Sequence, residues 1–135
     1  MQVIKKGIEM GYESRIYIVK KHPRLPIDGD KSYAEVIATF ELRKCSPINE
    51  FIAGCLPATN CYIYADDGNT PILEDCYGEP LKEISVDEMI RMIDNVRLNY
   101  LPFSGYTTMQ MLRAALDEMI KHDTVYDKVC LHYGH

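Results

Sequence analysis

The chain lacks most of the local patterns that signal an enzyme or a cofactor site. Its 135 residues contain no Walker phosphate loop and no GxGxxG, GxSxG or HExxH motif, and the eight glycines are scattered. The five cysteines form no CxxC pair. The sequence therefore predicts no cofactor and favours a protein that is not an enzyme. Any active site would have to be assembled by the fold from residues distant along the chain.

Long hydrophobic runs are also missing. No stretch approaches the roughly 18 apolar residues of a membrane-spanning helix, and no long apolar segment follows the amino-terminal charges. The cysteine number is odd and no Asn-x-Ser/Thr acceptor occurs, which is typical of a reducing compartment. We therefore expect a soluble, cytoplasmic protein without membrane contact. We also expect one compact domain over residues 1–135.

Positive charge is scarce in most of the chain. Residues 1–44 hold nine Lys or Arg and six Asp or Glu. Residues 45–135 hold six Lys or Arg and fourteen Asp or Glu, a net charge of −8, and the whole chain has a net charge of −5. An acidic surface argues against direct nucleic-acid binding, which depends on neutralising phosphates with Lys and Arg. It suits a basic protein partner, although acidic surfaces also serve solubility alone.

Two amphipathic helices are the clearest structural prediction. Each begins with a capping box, in which a Ser or Thr precedes a Glu or Gln by three residues: Ser85 with Glu88, and Thr107 with Gln110. Apolar residues follow at helical spacing, so we expect helices over about residues 85–98 and 107–121. A third, short helix is predicted near residues 47–54. The apolar arcs are wide enough for two neighbours, so a homo-oligomer stays an alternative to a purely intramolecular hairpin.

Alternating apolar and polar residues predict the strands. In residues 33–43 one face carries five apolar side chains: Ala34, Val36, Ala38, Phe40 and Leu42. Further strands are predicted at 2–7, 14–21, 61–66, 70–75 and 125–133. Asp67-Gly68 suits a tight turn, and Pro71 suits an edge strand. The prediction is an α+β fold in which a mostly antiparallel sheet of about 4–6 strands packs against the helical hairpin.

Tyrosine is over-represented, with ten residues and no tryptophan, and it supplies the candidate binding residues. Arg15 and Tyr17 share one strand face by alternation, and Tyr62 and Tyr64 share another. Tyr and Arg are typical of interfaces. Asp66 and Asp67 complete the candidates at the tip of an acidic hairpin. The competing interpretation is that these tyrosines are ordinary strand residues and the aspartates ordinary turn residues.

The sequence predicts no metal site. The carboxyl-terminal Cys130, His132 and His135 come nearest, because Cys and His are zinc ligands and alternation places Cys130 and His132 on one side of a strand. No fourth ligand accompanies them, and their spacing matches no common zinc module. A cysteine buried in the core explains the pattern as well.

Three functions are compatible with these features. The leading hypothesis is a non-enzymatic protein that binds a protein partner or itself; one version is an acidic inhibitor or decoy of a basic, nucleic-acid-handling protein. The second is a receptor or sink for a nucleotide-like small ligand, held by Arg15, Arg43 or Arg97 with nearby tyrosines. The third is a small enzyme that uses the acidic hairpin or the pair Cys130 and His132.

Overall fold

Six strands and two long helices make up the described part of the protein. The computed structural model describes residues 14–26, 32–42, 48, 51–52, 54–55, 61–64, 67–99, 106–122 and 127–134. The strands are β1 (Ser14–Pro26), β2 (Ser32–Glu41), β3 (Cys61–Tyr64), β4 (Pro71–Ile72), β5 (Lys82–Ile84) and β6 (Lys128–Gly134). The helices are α1 (Val86–Asn99) and α2 (Tyr106–Lys121). Helical residues at 48, 51 and 52 mark the predicted short helix.

The strands form one mixed sheet in the order β4-β3-β2-β1-β6-β5. Only β2 and β3 pair in parallel, through two residue pairs, and the other neighbours are antiparallel. The predicted α+β fold with a mostly antiparallel sheet is therefore confirmed. The strand expected at residues 2–7 lies outside the described residues. Strand β5 was not predicted, because three residues are too few to show an alternating pattern.

The first capping box forms as the sequence predicts. The amide of Glu88 donates to the Ser85 hydroxyl at 3.1 Å, and the amide of Met89 donates to the Ser85 carbonyl at 2.9 Å. The second helix differs, because it begins at Tyr106 and so includes Thr107, the expected cap, in its first turn. A capping pattern defines a helix start only to within a residue or two.

Both helices pack on one face of the sheet and build the larger core. Their buried side chains meet Ile16 and Ile18 of β1, Ile84 of β5 and Cys130 of β6. From the helices come Val86, Met89, Met92, Ile93, Val96, Met109, Leu112 and Leu116. Each fully buried side chain of this size contributes about 1.5–3 kcal/mol, so this face dominates the stability. The buried face of α2 is narrower than its apolar arc, since Met111 is 60% exposed and Ile120 is 45% exposed.

A salt bridge ties the two helices together on their outer side. The Arg113 guanidinium of α2 donates to the Asp94 carboxylate of α1 at 3.1 Å and also contacts Asp117 one turn further along α2. Hydrogen bonding with Asp94, the largest cause, raises the pKa of Arg113. None of the helices in the described part of the chain is long and apolar enough to cross a membrane.

A bulge in β2 divides a strand face that the sequence predicts to be continuous. Ile18 pairs with Ala38, whereas the next residue, Val19, pairs with Val36, so Ile37 is the extra residue. Because one inserted residue reverses the alternation, Ala38 packs with the helix-side core and Val36 packs with a second core. The prediction that residues 34–42 present one common face is therefore wrong.

The second core lies on the inner face of a curled sheet. Its buried members are Tyr17, Val19, Ala34, Ile63, Leu81 and Leu131. The two edges of the sheet approach each other, because the Leu81 amide donates to the Leu73 carbonyl and the Asp75 amide donates to the Glu79 carbonyl. An isolated bridge between Glu74 and Pro80 joins the same segments. The chain after β4 thus lies beside the chain before β5, and the sheet wraps around its inner side chains.

Candidate functional site

The aromatic and cationic side chains at one end of the inner face form the clearest candidate site. Arg15 and Tyr17 of β1 share this face, and Tyr133 of β6 is the cross-strand neighbour of Arg15. The guanidinium carbon of Arg15 lies 4.4 Å from the centre of the Tyr133 ring and 6.0 Å from that of Tyr17. The structure therefore brings the predicted pair together and adds a second tyrosine to it, in a cation–π arrangement.

An open groove of about 510 Å³ lies beside this arrangement. Its lining residues, the mouth groove from here on, are Pro71, Ile72, Leu73, Glu74, Asp75 and Tyr133. Ile72 and Tyr133 pack against the inner core, so the groove lies at its edge. Mouths of curled or closed sheets are common places for binding sites.

The wall of the mouth groove is held by a short loop that Asp75 organises. One carboxylate oxygen of Asp75 accepts the amide of Tyr77 at 2.8 Å and the amide of Glu79 at 3.0 Å. Asp75 is 9% exposed, and Gly78 supplies the positive φ of 83° that the turn requires. The groove wall is therefore built by backbone and side-chain hydrogen bonds before any ligand arrives.

The neighbouring loop places Asp67 on the protein surface with a structural role. Its carboxylate accepts the amides of Asn69 and Thr70 at 2.8 and 2.9 Å and the Thr70 hydroxyl at 2.6 Å. The Thr70 hydroxyl, followed by the two amides, lowers the pKa of Asp67. These bonds make a wider turn than the predicted tight Asp-Gly turn, with Gly68 at φ 74°. Asp66, the other candidate, lies outside the described residues.

Tyr62 and Tyr64 lie together but in a different place from Arg15 and Tyr17. They point away from Ile63, which belongs to the inner core, and they contact Tyr33 of β2. The three ring centres are 5.2–5.9 Å apart, so the rings pack on one another and leave no space for a cation between them. Hydrogen bonding with Tyr64, the largest cause, raises the pKa of Tyr62.

Cys130 and His132 of β6 are buried in the protein interior. Cys130 is fully buried, and burial raises the pKa of its thiol to about 12, so it stays protonated at neutral pH. His132 is 2% exposed, and its Nε2 lies 2.8 Å from the hydroxyl oxygen of Ser14, which is 3% exposed. His135 lies outside the described residues. Among the residues that the structure describes, no group of three or more His, Cys, Asp or Glu side chains is placed to hold a metal.

The pair formed by Ser14 and His132 has the distance of a nucleophile and its base but not the accessibility. A catalytic hydroxyl must meet a substrate, and these two residues are only 3% and 2% exposed. Their hydrogen bond joins β1 to β6.

A smaller cavity of about 320 Å³ lies on the helix side of the molecule. It is lined by Phe51, Gly54, Cys55, Glu88, Arg91, Met92 and Asn95. The Cys55 thiol donates to the Phe51 carbonyl at 3.7 Å, and burial, followed by the charge of Glu88, raises its pKa. The thiol is therefore a poor nucleophile at neutral pH.

The predicted binding residues Arg15 and Tyr17 lie beside the mouth groove, but none of the residues that line it was among them. The alternation of β1 identified Arg15 and Tyr17, whereas Tyr133 and the wall at residues 71–75 were absent from the predicted binding residues. The pairing of β6 with β1 is a contact between distant parts of the chain, which no local pattern encodes. Of the other arginines proposed for a ligand, Arg43 and the side chain of Arg97 lie outside the described part of the protein.

No protein-family model, curated protein or solved structure matches this chain.

Proposed function

We propose that this protein is a non-enzymatic binding protein and that a protein partner docks at the mouth groove. The observation that carries the proposal is the preformed, open groove lined by Tyr133, with Arg15 stacked on that ring. Tyrosine and arginine are the residues that most often supply binding energy at protein interfaces. A groove built in advance also lowers the entropy cost of binding.

The shape and charge of the groove favour a macromolecular partner with a basic surface. The groove is open to solvent, so a small molecule in it would keep much of its surface in water, unlike the ligands of enclosed pockets. Within residues 67–80 the carboxylate side chains of Asp67, Glu74 and Glu79 are exposed, and this stretch contains no Lys or Arg. Exposed carboxylates attract a basic partner and speed its encounter. An inhibitor or decoy of a basic, nucleic-acid-handling protein would act in this way.

Groove filling tests the proposal. Pro71→Trp places a large ring at the edge of the mouth groove, and Ala114→Trp places the same ring on an exposed position of α2, on the opposite face of the sheet. Both variants and the wild type would serve as bait for affinity capture and mass spectrometry. We expect one protein to bind the wild type and Ala114→Trp but not Pro71→Trp, and to show the same dependence when both proteins are purified.

Two results would contradict this function. One is the absence of any protein whose capture depends on Pro71. The other is a purified partner whose affinity does not change with ionic strength, because attraction between a basic partner and the acidic segment must weaken as salt screens it. Unchanged thermal unfolding of both Trp variants is the control for folding.

A nucleotide-like small ligand is the second candidate, and the groove volume favours it. About 510 Å³ lies within the range of roughly 300–1,000 Å³ typical of small-molecule sites, and the Arg15 guanidinium is close to the Tyr133 ring. A panel of nucleotides titrated by calorimetry separates the candidates. Binding that Pro71→Trp abolishes and Ala114→Trp leaves intact would favour the small-ligand function over protein docking.

A further inference from the structure

The side chains of the mouth groove have one sign of charge. Four of its six lining residues are apolar or aromatic and the other two are the carboxylates Glu74 and Asp75. Arg15 lies over the Tyr133 ring and is not part of the lining. A docked segment therefore meets an apolar surface with negative charge at one end.

Glu74 and Asp75 differ in what they can offer a ligand. The Asp75 carboxylate is 9% exposed and accepts the amides of Tyr77 and Glu79, so it maintains the loop. Glu74 is exposed, and within the described part of the chain its carboxylate forms no ion pair. A cation that enters the groove would thus pair with Glu74. The long stem of a Lys or Arg could cover Ile72 and Leu73 on the way, as such stems commonly do on apolar surfaces.

Backbone pairing is not the way in which the wall would recognise a segment. The Leu73 carbonyl already accepts the Leu81 amide, and the Asp75 amide already donates to the Glu79 carbonyl. The backbone edge of residues 73–75, to which an extended peptide could pair as a further strand, is therefore already paired with the protein's own residues 79–81. Recognition has to come from side chains that contact the groove.

We infer that the mouth groove holds an extended, basic segment of the partner protein, with a Lys or Arg side chain lying over Ile72 and Leu73 and paired with Glu74. This inference rests on the proposed function and names the chemistry of the partner. Charge complementarity decides the occupant: the groove lining carries carboxylates without a Lys or Arg, and the exposed residues Asp67 and Glu79 belong to the same acidic stretch of the chain. An acidic segment would be repelled at the same place.

A defined probe tests the inference. Two fluorescent peptides with blocked ends, one of alternating Lys and Val and one of alternating Glu and Val, would be titrated by anisotropy at low ionic strength. We expect the Lys peptide to bind and the Glu peptide not to bind. Glu74→Gln should lower the affinity for the Lys peptide by up to about fivefold, the value of one exposed charge pair. Glu74→Lys should lower it further through repulsion.

The matched controls are Glu118→Gln and Glu118→Lys, because Glu118 is exposed on α2 and has the same formal charge. We expect neither to change the affinity, and we expect amide chemical shifts to move at residues 72–75 and at Tyr133. The inference would be overturned if substitutions of Glu74 and of Glu118 weakened binding of the Lys peptide equally. It would also be overturned if spermine bound as tightly as the Lys peptide and with the same dependence on Glu74. Either result would show only a general attraction of cations.

The same variants separate this inference from the proposed function. A captured partner that depends on Pro71 together with failure of the Lys peptide would leave the function standing and reject the basic segment. Failure of both experiments would reject both.

Discussion

The two faces of the sheet are built in different ways. The outer face is covered by α1 and α2, and its core is drawn largely from two helices with local capping and spacing signals. The inner face is enclosed by the sheet itself, through the bulge at Ile37 and the contacts between residues 73–75 and 79–81. The outer face is closed and carries the stability, whereas the inner face is left open at the mouth groove. Binding chemistry in this protein is thus expected where closure is incomplete.

The largest expected effect comes from a charge in the helix-side core. Met89→Asp places a carboxylate where the native side chain is 0% exposed. A buried carboxyl without a partner costs several kcal/mol even when it takes up a proton, and the packing of the Met side chain is lost as well. Together these losses are comparable with the 5–15 kcal/mol by which domains are typically stable, so we expect loss of the folded state. Circular dichroism and thermal unfolding measure this. Met111→Asp is the matched control, because Met111 is 60% exposed and its replacement should change stability by only about 0.5 kcal/mol.

Deletion of Ile37 tests whether the curl of the sheet depends on the bulge. Without this residue β2 can pair regularly with β1, and Val36 stays opposite Val19 on the inner side, but the bend and the extra twist that a bulge gives the strand are lost. We expect a loss of about 3 kcal/mol in the free energy of unfolding, the upper end of the usual range for a single change. Chemical denaturation provides the measurement. Ile37→Thr retains the extra residue at a position that is 49% exposed and should be nearly neutral; equal losses would show that the bulge has no such role.

The hydrogen bond between Ser14 and His132 should have a smaller effect, since it stabilises the contact of β1 with β6 without filling a core. Ser14→Ala removes the hydroxyl that lies 2.8 Å from His132 Nε2 in a buried setting. We expect a loss of about 1–3 kcal/mol, the cost of a buried polar group without that partner. A double-mutant cycle with His132→Leu measures the coupling. Additive effects of the two substitutions would show that the bond contributes nothing.

The smallest expected effect concerns acid stability of the loop beside the mouth groove. The folded state lowers the pKa of Asp67, so this carboxylate stabilises the protein above its unfolded pKa, and the contribution is lost as the pH falls through the folded pKa. Asp67→Asn should therefore lower the melting temperature slightly at neutral pH and not at acidic pH. Melting curves over this pH range measure the difference.

Glu74→Gln is the control for that titration, because it removes an exposed carboxylate that forms no ion pair within the described part of the chain and leaves the hydrogen bonds of Asp67 in place. A difference between wild type and Asp67→Asn that stays constant from neutral to acidic pH would contradict the role assigned to Asp67.

Much of the fold was predictable from the sequence because its signals are local. The Ser85 capping box and the helical spacing of Val86, Met89, Ile93 and Val96 lie within one segment, and the structure has that helix. The edge position of Pro71 follows from a missing amide and is also confirmed. Residues 34–42 show where such reasoning fails: their alternation looks continuous, but pairing with β1 inserts a bulge at Ile37 that no property of these residues announces.

The candidate site divides in the same way. The sequence placed Arg15 and Tyr17 on one face because alternation along a strand is a local geometric property. Tyr133 lies under Arg15 only because β6 pairs with β1. The wall 71–75 lies at the edge of the inner core only because the Leu81 amide donates to the Leu73 carbonyl and so joins the two segments. Composition alone determined the acidic character of the protein, and local periodicity and capping patterns determined its α+β class. Tertiary structure decided which carboxylates line a groove, because the contacts that form it join residues far apart in the chain, and those contacts depend on how the whole sheet curls.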